Sequence, residues 1–129
     1  MWTIEKDFRF EASHQLPNYK GKCNRLHGHS WKGTVVLQSP NLQPGGEQVG
    51  MVQDYSEIGV IVNDLVRSKL DHWHLNDTTG LENPTSEELA RWVFNQLITQ
   101  LPMLVAVVIE ETCTSRCTYQ GETQQCLTF

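Results

Sequence analysis

The chain reads as an α+β protein. The expected architecture is a four-stranded antiparallel sheet with two helices on one face, in the order strand, strand, helix, helix, strand, strand. Three patterns lead there. Residues 8–14 alternate: Phe8, Phe10, Ala12 and His14 fall on one face, and Arg9, Glu11 and Ser13 on the other. Two later stretches, opening at Asp54 and Thr85, repeat apolar residues at helical spacing. Residues 104–109, Leu-Val-Ala-Val-Val-Ile, form a β-rich apolar run.

The first strand ends at His14. The second begins near His27 and runs to about Gln38, with His27, His29, Trp31, Gly33, Val35 and Leu37 on one parity. Residues 15–26 join them and hold Pro17, Asn18, Gly21 and Asn24, all loop formers. Residues 39–46 break regular structure with two prolines and two glycines, and residues 51–54 read as a short extended piece. Asp54 with Glu57 forms a capping box. Ile58, Ile61, Val62, Leu65, Val66 and Leu70 then mark a helix. Thr85 with Glu88 forms a second box. Leu89, Trp92, Val93, Gln96, Leu97 and Leu101 mark the next helix, which Pro102 stops. After the strand at 104–109, Gly121 marks a turn, and residues 117–120 form the last short strand. No repeat or linker divides residues 1–129, a length that suits one domain.

A net charge of −5 argues against a general nucleic-acid binder. Lys20, Lys22, Arg25 and Lys32 cluster around the histidine stretch. They read either as a solvated basic patch or as an attractor for an anionic substrate. No apolar run is long enough to span a membrane and the N-terminus has no apolar signal region, so the expected address is cytoplasmic. The four cysteines, Cys23, Cys113, Cys117 and Cys126, are then expected to stay reduced. Cys113 and Cys117 lack the second half of a zinc-knuckle pattern, and the three tail cysteines read as structural or incidental.

The chemistry concentrates in Cys23-Asn-Arg-Leu-His27-Gly-His29. Pairing the first two strands antiparallel brings His14, His27 and His29 to one end of the sheet. Three neutral imidazoles there would make a zinc site with an open fourth position, the alternative being packed or solvated histidines. Asp71 can orient His72 and fix its tautomer, or both can reach a common substrate. Equally, they can be a polar helix end and a surface histidine. A reduced Cys23 near a metal or an imidazolium could act as a base. His74 has no evident partner and reads as structural. Glu110 and Glu111 point to opposite faces. A buried one needs partners such as the NH groups of a heterocycle, and otherwise the pair is a charged strand end.

Six segments taken in order resemble the pterin synthases of the tunnelling fold. They are Phe10-Glu11-Ala12-Ser13-His14, Cys23-x-x-x-His27-Gly28-His29, Leu70-Asp71-His72, Leu75-Asn76, Pro84-Thr85-Ser86-Glu87 and Glu111-Thr112. The three-residue interval between Cys23 and His27 is similar to that of the bacterial 6-carboxy-5,6,7,8-tetrahydropterin synthase branch, which serves queuosine biosynthesis. The runs from Glu82 and from Glu111 are similar to that branch as well.

The resemblance implies that His14, His27 and His29 bind Zn²⁺ and that Cys23 is the catalytic base, with Asp71 and His72 as a second proton-transfer group. It implies that Glu111 anchors the pterin ring and that Thr85 and Ser86 contact it from a neighbouring subunit. The substrate it implies is 7,8-dihydroneopterin triphosphate. The products are 6-carboxytetrahydropterin, acetaldehyde and triphosphate, made by a zinc-dependent carbon–carbon lyase. It also implies a homohexamer, a dimer of trimers. Two other readings remain: 6-pyruvoyl tetrahydropterin synthase activity on the same substrate, and a non-catalytic zinc module whose closed site uses Cys23 as fourth ligand.

Overall fold

The computed structural model describes residues 1–21 and 25–121; Lys22, Cys23, Asn24 and residues 122–129 lie outside the described residues. Four antiparallel strands form one sheet in sequence order: β1 (Trp2–His14), β2 (His27–Ser39), β3 (Leu104–Thr112) and β4 (Ser115–Gln120). The helices α1 (Tyr55–Leu65) and α3 (Ser86–Leu97) pack on one face, as expected, and a short α2 (Leu75–Thr79) lies between them.

Alternation decides which face is buried. On β1, Phe8, Phe10, Ala12 and His14 are buried while Asp7, Arg9 and Glu11 are exposed. Trp31, Val35 and Leu37 of β2 and Val107 and Ile109 of β3 continue that face. They pack with Ile58 and Val62 of α1 and Leu89, Val93, Phe94 and Leu97 of α3 into one apolar cluster. Phe10 stacks on Trp31 at 5.8 Å between ring centroids, and the Trp31 indole donates to the Ala12 carbonyl. The opposite face carries the charged row Arg9, Lys32, Glu110 and Arg116 beside the apolar Val36, Ala106 and Val108.

The register of β1 and β2 pairs His14 with His27, Ala12 with His29 and Phe8 with Gly33. Gly33 is a notch for the Phe8 ring: a Cβ there would lie 2.0 Å from Phe8 Cζ. No other residue type leaves room for the ring.

Several boundaries differ from the expected ones. Asp54 caps α1 by accepting from the Ser56 N–H, and Glu57 accepts from Gln48 and Gln53 side chains, so no capping box closes there. Those glutamines come from residues that pack under the helix start, a contact invisible to local spacing. Residues 51–54 pair with no strand; Val52 and Gln53 are buried in bends instead. Thr85 accepts from the Glu88 N–H, but the Glu88 carboxylate turns to Arg91, so only half of the second box forms.

The first helix stops being α at Leu65 and closes with one π-helical turn, Val66–Leu70, in which the Asp71 N–H reaches the Val66 carbonyl. That turn keeps Val66 and Leu70 in the core while the chain leaves in an extended direction at Asp71. Apolar spacing tracks burial, so it ran through the turn unseen. The short α2 was not expected because five residues carry no period; Gly80, left-handed at φ 74°, ends it. At the other end of α3, the Leu101 N–H bonds back to the Leu97 carbonyl in a turn that buries Leu101, which is why the helical spacing outruns the helix. β4 starts at Ser115, earlier than expected, because the β3–β4 hairpin turns at once and pairs Thr112 with Ser115. No helix among the described residues is long and apolar enough to cross a membrane.

The notch makes a test. Gly33→Ala should destabilise the protein by about 1–3 kcal/mol, the usual cost of overpacking, and lower the melting temperature by several degrees. In a Phe8→Ala background the same substitution should cost almost nothing. Equal costs in both backgrounds would show that the ring is not the obstacle.

Candidate metal centre and its flanking dyad

Strand register builds the centre. His14 and His27 are cross-strand partners, and His29 follows two residues on, with its side chain on the same face. The three rings meet edge to face, with centroids 4.5 Å (His14–His27), 4.7 Å (His27–His29) and 5.2 Å (His14–His29) apart. Trp31 lies against both His14 and His29. Glu111 comes from β3 on the parity of Val107 and Ile109. The four side chains each offer one donor atom, and those atoms lie within 4.8 Å of one another.

Hydrogen bonds fix the tautomers. His14 Nδ1 donates to the Pro84 carbonyl at 2.8 Å, and His27 Nδ1 donates to the Arg25 carbonyl at 2.7 Å. Each ring therefore turns an unprotonated Nε2 inward. These two atoms stand 2.9 Å apart. Two lone pairs cannot face one another at that distance without a cation between or beside them. His29 Nε2 is buried with no hydrogen-bond partner, although Glu111 Oε1 lies 2.8 Å away out of alignment. An orphaned buried acceptor, two opposed lone pairs and one carboxylate are the donor set of a divalent metal with nitrogen and oxygen ligands, so the residues fit such an ion.

The electrostatics agree. Burial holds the His29 imidazole below its ordinary pKa, against the pull of Glu111, which keeps the ring neutral and able to ligate. The Glu111 carboxyl is also held low, first by the hydrogen bond that His14 donates when protonated, with burial opposing and the charges of protonated neighbouring rings adding to the shift.

A clamp holds the His14 end of β1. The Asn76 side chain accepts from the Gln15 N–H at 2.9 Å and donates to the Gln15 and Glu82 carbonyls. It acts as a short strand partner at the end of β1, and it ties the segment carrying Pro84 to the same point. The Leu75-Asn76 pair singled out in the sequence thereby serves the orientation of His14.

Asp71 and His72 lie along the outer edge of β1. Asp71 Oδ1 accepts from the Glu11 N–H at 2.8 Å, the His72 N–H donates to the Glu11 carbonyl at 2.6 Å, and the Ser13 N–H donates to the Trp73 carbonyl. Asp71 Oδ2 meets His72 Nδ1 at 2.9 Å. The Glu11 N–H is the main reason the Asp71 carboxyl stays below its usual pKa, with His72 adding to it. His72 therefore keeps its proton on Nδ1 toward Asp71 and presents Nε2 outward. It does so from a left-handed backbone, φ 64°, unusual for a residue with a Cβ. His72 and His29 line one open cleft of about 420 Å³, together with Glu11, Ser13 and Ser30. The His74 ring bonds the Ser13 hydroxyl, and the His74 carbonyl accepts the first amides of α2, a role in the fold.

Glu111 also faces a second cleft of about 400 Å³, where Ser86, Arg116 and Cys117 line the wall. Burial and the nearby Glu87 push the Cys117 thiol up. Thr85 is engaged as the N-cap of α3, and Ser86 beside it reaches the cleft. Cys23 lies outside the described residues. Sequence reasoning did not place Glu111 beside the histidines. Its parity with Val107 and Ile109 was the available signal. The carbonyls of Pro84 and Arg25 carry no side-chain signal at all.

The left-handed residue offers a separation of fold from function. His72→Gly should melt above His72→Ala, by the roughly 1 kcal/mol that a Cβ costs at such a backbone angle. Both variants should lose whatever activity the Asp71–His72 pair supports. Equal melting of the two would remove the strain.

The model of the family described as 6-pyruvoyl tetrahydropterin synthase matches residues 3–122. The 6-carboxy-5,6,7,8-tetrahydropterin synthase of Synechocystis is 49% identical over 120 residues, covering 92% of this chain and 93% of that protein. The Haemophilus influenzae protein of the same name is 31% identical over 93% of this chain and 99% of its own length. The structure of Caenorhabditis elegans 6-pyruvoyl tetrahydropterin synthase superposes with a TM-score of 0.81 at 29% identity, covering 94% of this chain and 96% of that one. Four antiparallel strands, helices on one face and near-complete mutual coverage leave one conclusion: the chain belongs to the 6-pyruvoyl tetrahydropterin synthase family.

Proposed function

We propose that the chain is a zinc-dependent 6-carboxy-5,6,7,8-tetrahydropterin synthase. It converts 7,8-dihydroneopterin triphosphate to 6-carboxytetrahydropterin, acetaldehyde and triphosphate, within queuosine biosynthesis in the cytoplasm. The observation that carries the reading is the 49% identity, over 92% of the chain, to a protein of that name.

His14, His27 and His29 would hold the zinc, with Glu111 next to them. Bound there, zinc would supply Lewis-acid polarisation of substrate side-chain oxygens. The chain's own groups do the rest. Asp71 fixes the His72 tautomer so that Nε2 can take and return a proton. Cys23 is the proposed base for the other proton transfer; its thiolate would be favoured by nearby positive charge. Glu111 would accept from pterin NH groups, and Ser86 of a neighbouring subunit would contact the ring. Thr85 would contribute through its hydroxyl proton, since its oxygen already accepts from Glu88. Two proton-transfer groups suit an internal redox shift followed by carbon–carbon cleavage.

A homohexamer, a dimer of trimers, is proposed as the working form. The sheet ends in two edges, β1 and β4, and among the described residues the 71–74 segment covers the Glu11–Ser13 part of the β1 edge. Open edges invite strand pairing between copies. A monomer by light scattering at micromolar concentration would contradict the assembly.

Incubation with 7,8-dihydroneopterin triphosphate and mass analysis of the products tests the activity. Acetaldehyde with a carboxytetrahydropterin is expected. A pyruvoyl product without acetaldehyde would move the chain to the other activity in its family. His27→Ala should lose most bound metal and the activity together, since two imidazoles hold zinc poorly. Cys23→Ala should keep metal and melting temperature and lose roughly 10²-fold or more of the turnover, the size of a lost general base. Lost metal and a lower melt in that variant would instead mark a closed site with Cys23 as ligand.

A further inference from the structure

The helix-free face of the sheet carries a row of charges one residue deep. Strand register sets Arg9 opposite Lys32, Lys32 opposite Glu110, and Glu110 opposite Arg116. Glu110 is shared, with Lys32 Nζ at 3.6 Å and Arg116 Nε at 3.5 Å. Lys32 also meets Asp7 at 3.6 Å, and Asp7 accepts from the Thr34 hydroxyl. Glu11, the other carboxylate flanking Arg9 on this face, accepts from Ser30. Each of these carboxylates thus has another partner among the described residues. Among the described residues Arg9 has no ion pair and no hydrogen-bond acceptor.

Like charges directly opposite on paired strands destabilise a sheet. Arg9 against Lys32 is such a pair, in a chain whose net charge is −5. The two cations line a cavity of about 230 Å³ with Ser30, Glu110, Thr112 and Cys113. Ser30 also lines the cleft that holds His29 and His72, so the two hollows adjoin at that residue. Lys32 is roughly 10 Å from His29 along β2 and on the opposite face, the face whose Glu11, Ser13 and Ser30 also line the His29–His72 cleft. A free guanidinium offers paired donors matched to phosphate oxygens, and an ammonium beside it adds charge.

We infer that Arg9 and Lys32 form an anion subsite for the polyphosphate tail of a substrate whose reacting end lies at the His29–His72 cleft. The anion relieves the like-charge pair, and Ser30 and Thr112 supply hydroxyls at its margins. Of the basic residues that cluster in the sequence around the histidines, Lys32 takes part, and Arg9 comes from the facing strand. The inference rests on the proposed function for the identity of the substrate but not for the existence of the subsite.

The test uses inorganic triphosphate as the probe and metal-loaded protein, with calorimetry at fixed ionic strength. Arg9→Gln and Lys32→Gln should each weaken triphosphate binding about tenfold. Arg67→Gln, which removes a cation paired with Asp64 elsewhere on the surface, should not. With 7,8-dihydroneopterin triphosphate, Arg9→Gln should raise KM by a similar factor and leave kcat within about twofold, with bound metal unchanged. Triphosphate affinity equal in all three variants, or no binding to the wild-type chain, would overturn the subsite. Arg9-dependent triphosphate binding in a chain that makes no tetrahydropterin product would support the subsite and defeat the proposed function instead.

Discussion

Two imidazole nitrogens without protons face each other across the first strand pair, and the arrangement depends on keeping them there. Left alone they repel; with a cation they become the strongest attraction at that end of the sheet. The fold accepts this tension at the point where β1 and β2 part, beside a buried tryptophan and away from the helical core. The donor set fits a metal site, in which the protein would hold the donors in place and leave their final stabilisation to an ion.

What holds them is mostly backbone. The Pro84 carbonyl orients His14, the Arg25 carbonyl orients His27, and Asn76 fastens the strand end and the Pro84 segment together. The same edge of β1 carries the Asp71–His72 pair through the amide and carbonyl of Glu11. One strand thus presents the candidate ligand His14 from its core-facing parity, the Asp71–His72 pair along its edge, and the Arg9 guanidinium from its outer parity. A shift of β1 would move all three together.

Much of this was legible in the amino-acid order, and for a simple reason. A strand writes its two faces as alternate residues, so the convergence of His14, His27 and His29 followed once antiparallel pairing was assumed. The sheet, both long helices and the adjacency of Asp71 and His72 were readable on the same grounds. What escaped depends on contacts that no local period records. The π-helical turn preserves apolar spacing while redirecting the chain. Glu57 had the right offset for a capping box but found glutamine amides first. Glu111 joins the histidines only because β3 is the third strand of the sheet, a distance in space that the sequence does not print. Family resemblance gave Glu111 a role; strand order gave it neighbours.

Gly33 has a consequence beyond packing. Residues 15–26 are a connection of twelve residues, longer than the two-residue hairpin loops that dictate alignment, and a slip of two residues would keep every side chain on its proper face. Hydrophobic alternation alone cannot reject that mis-threaded hairpin, in which His14 would sit across from His29. The Phe8 ring can: it fits over Gly33 and over neither Trp31 nor Val35. A single missing side chain, far from the ligands, acts as the key that admits one threading. The connection is thereby released from specifying alignment. Its length and composition can drift under selection for chemistry while the opposed histidines stay in step.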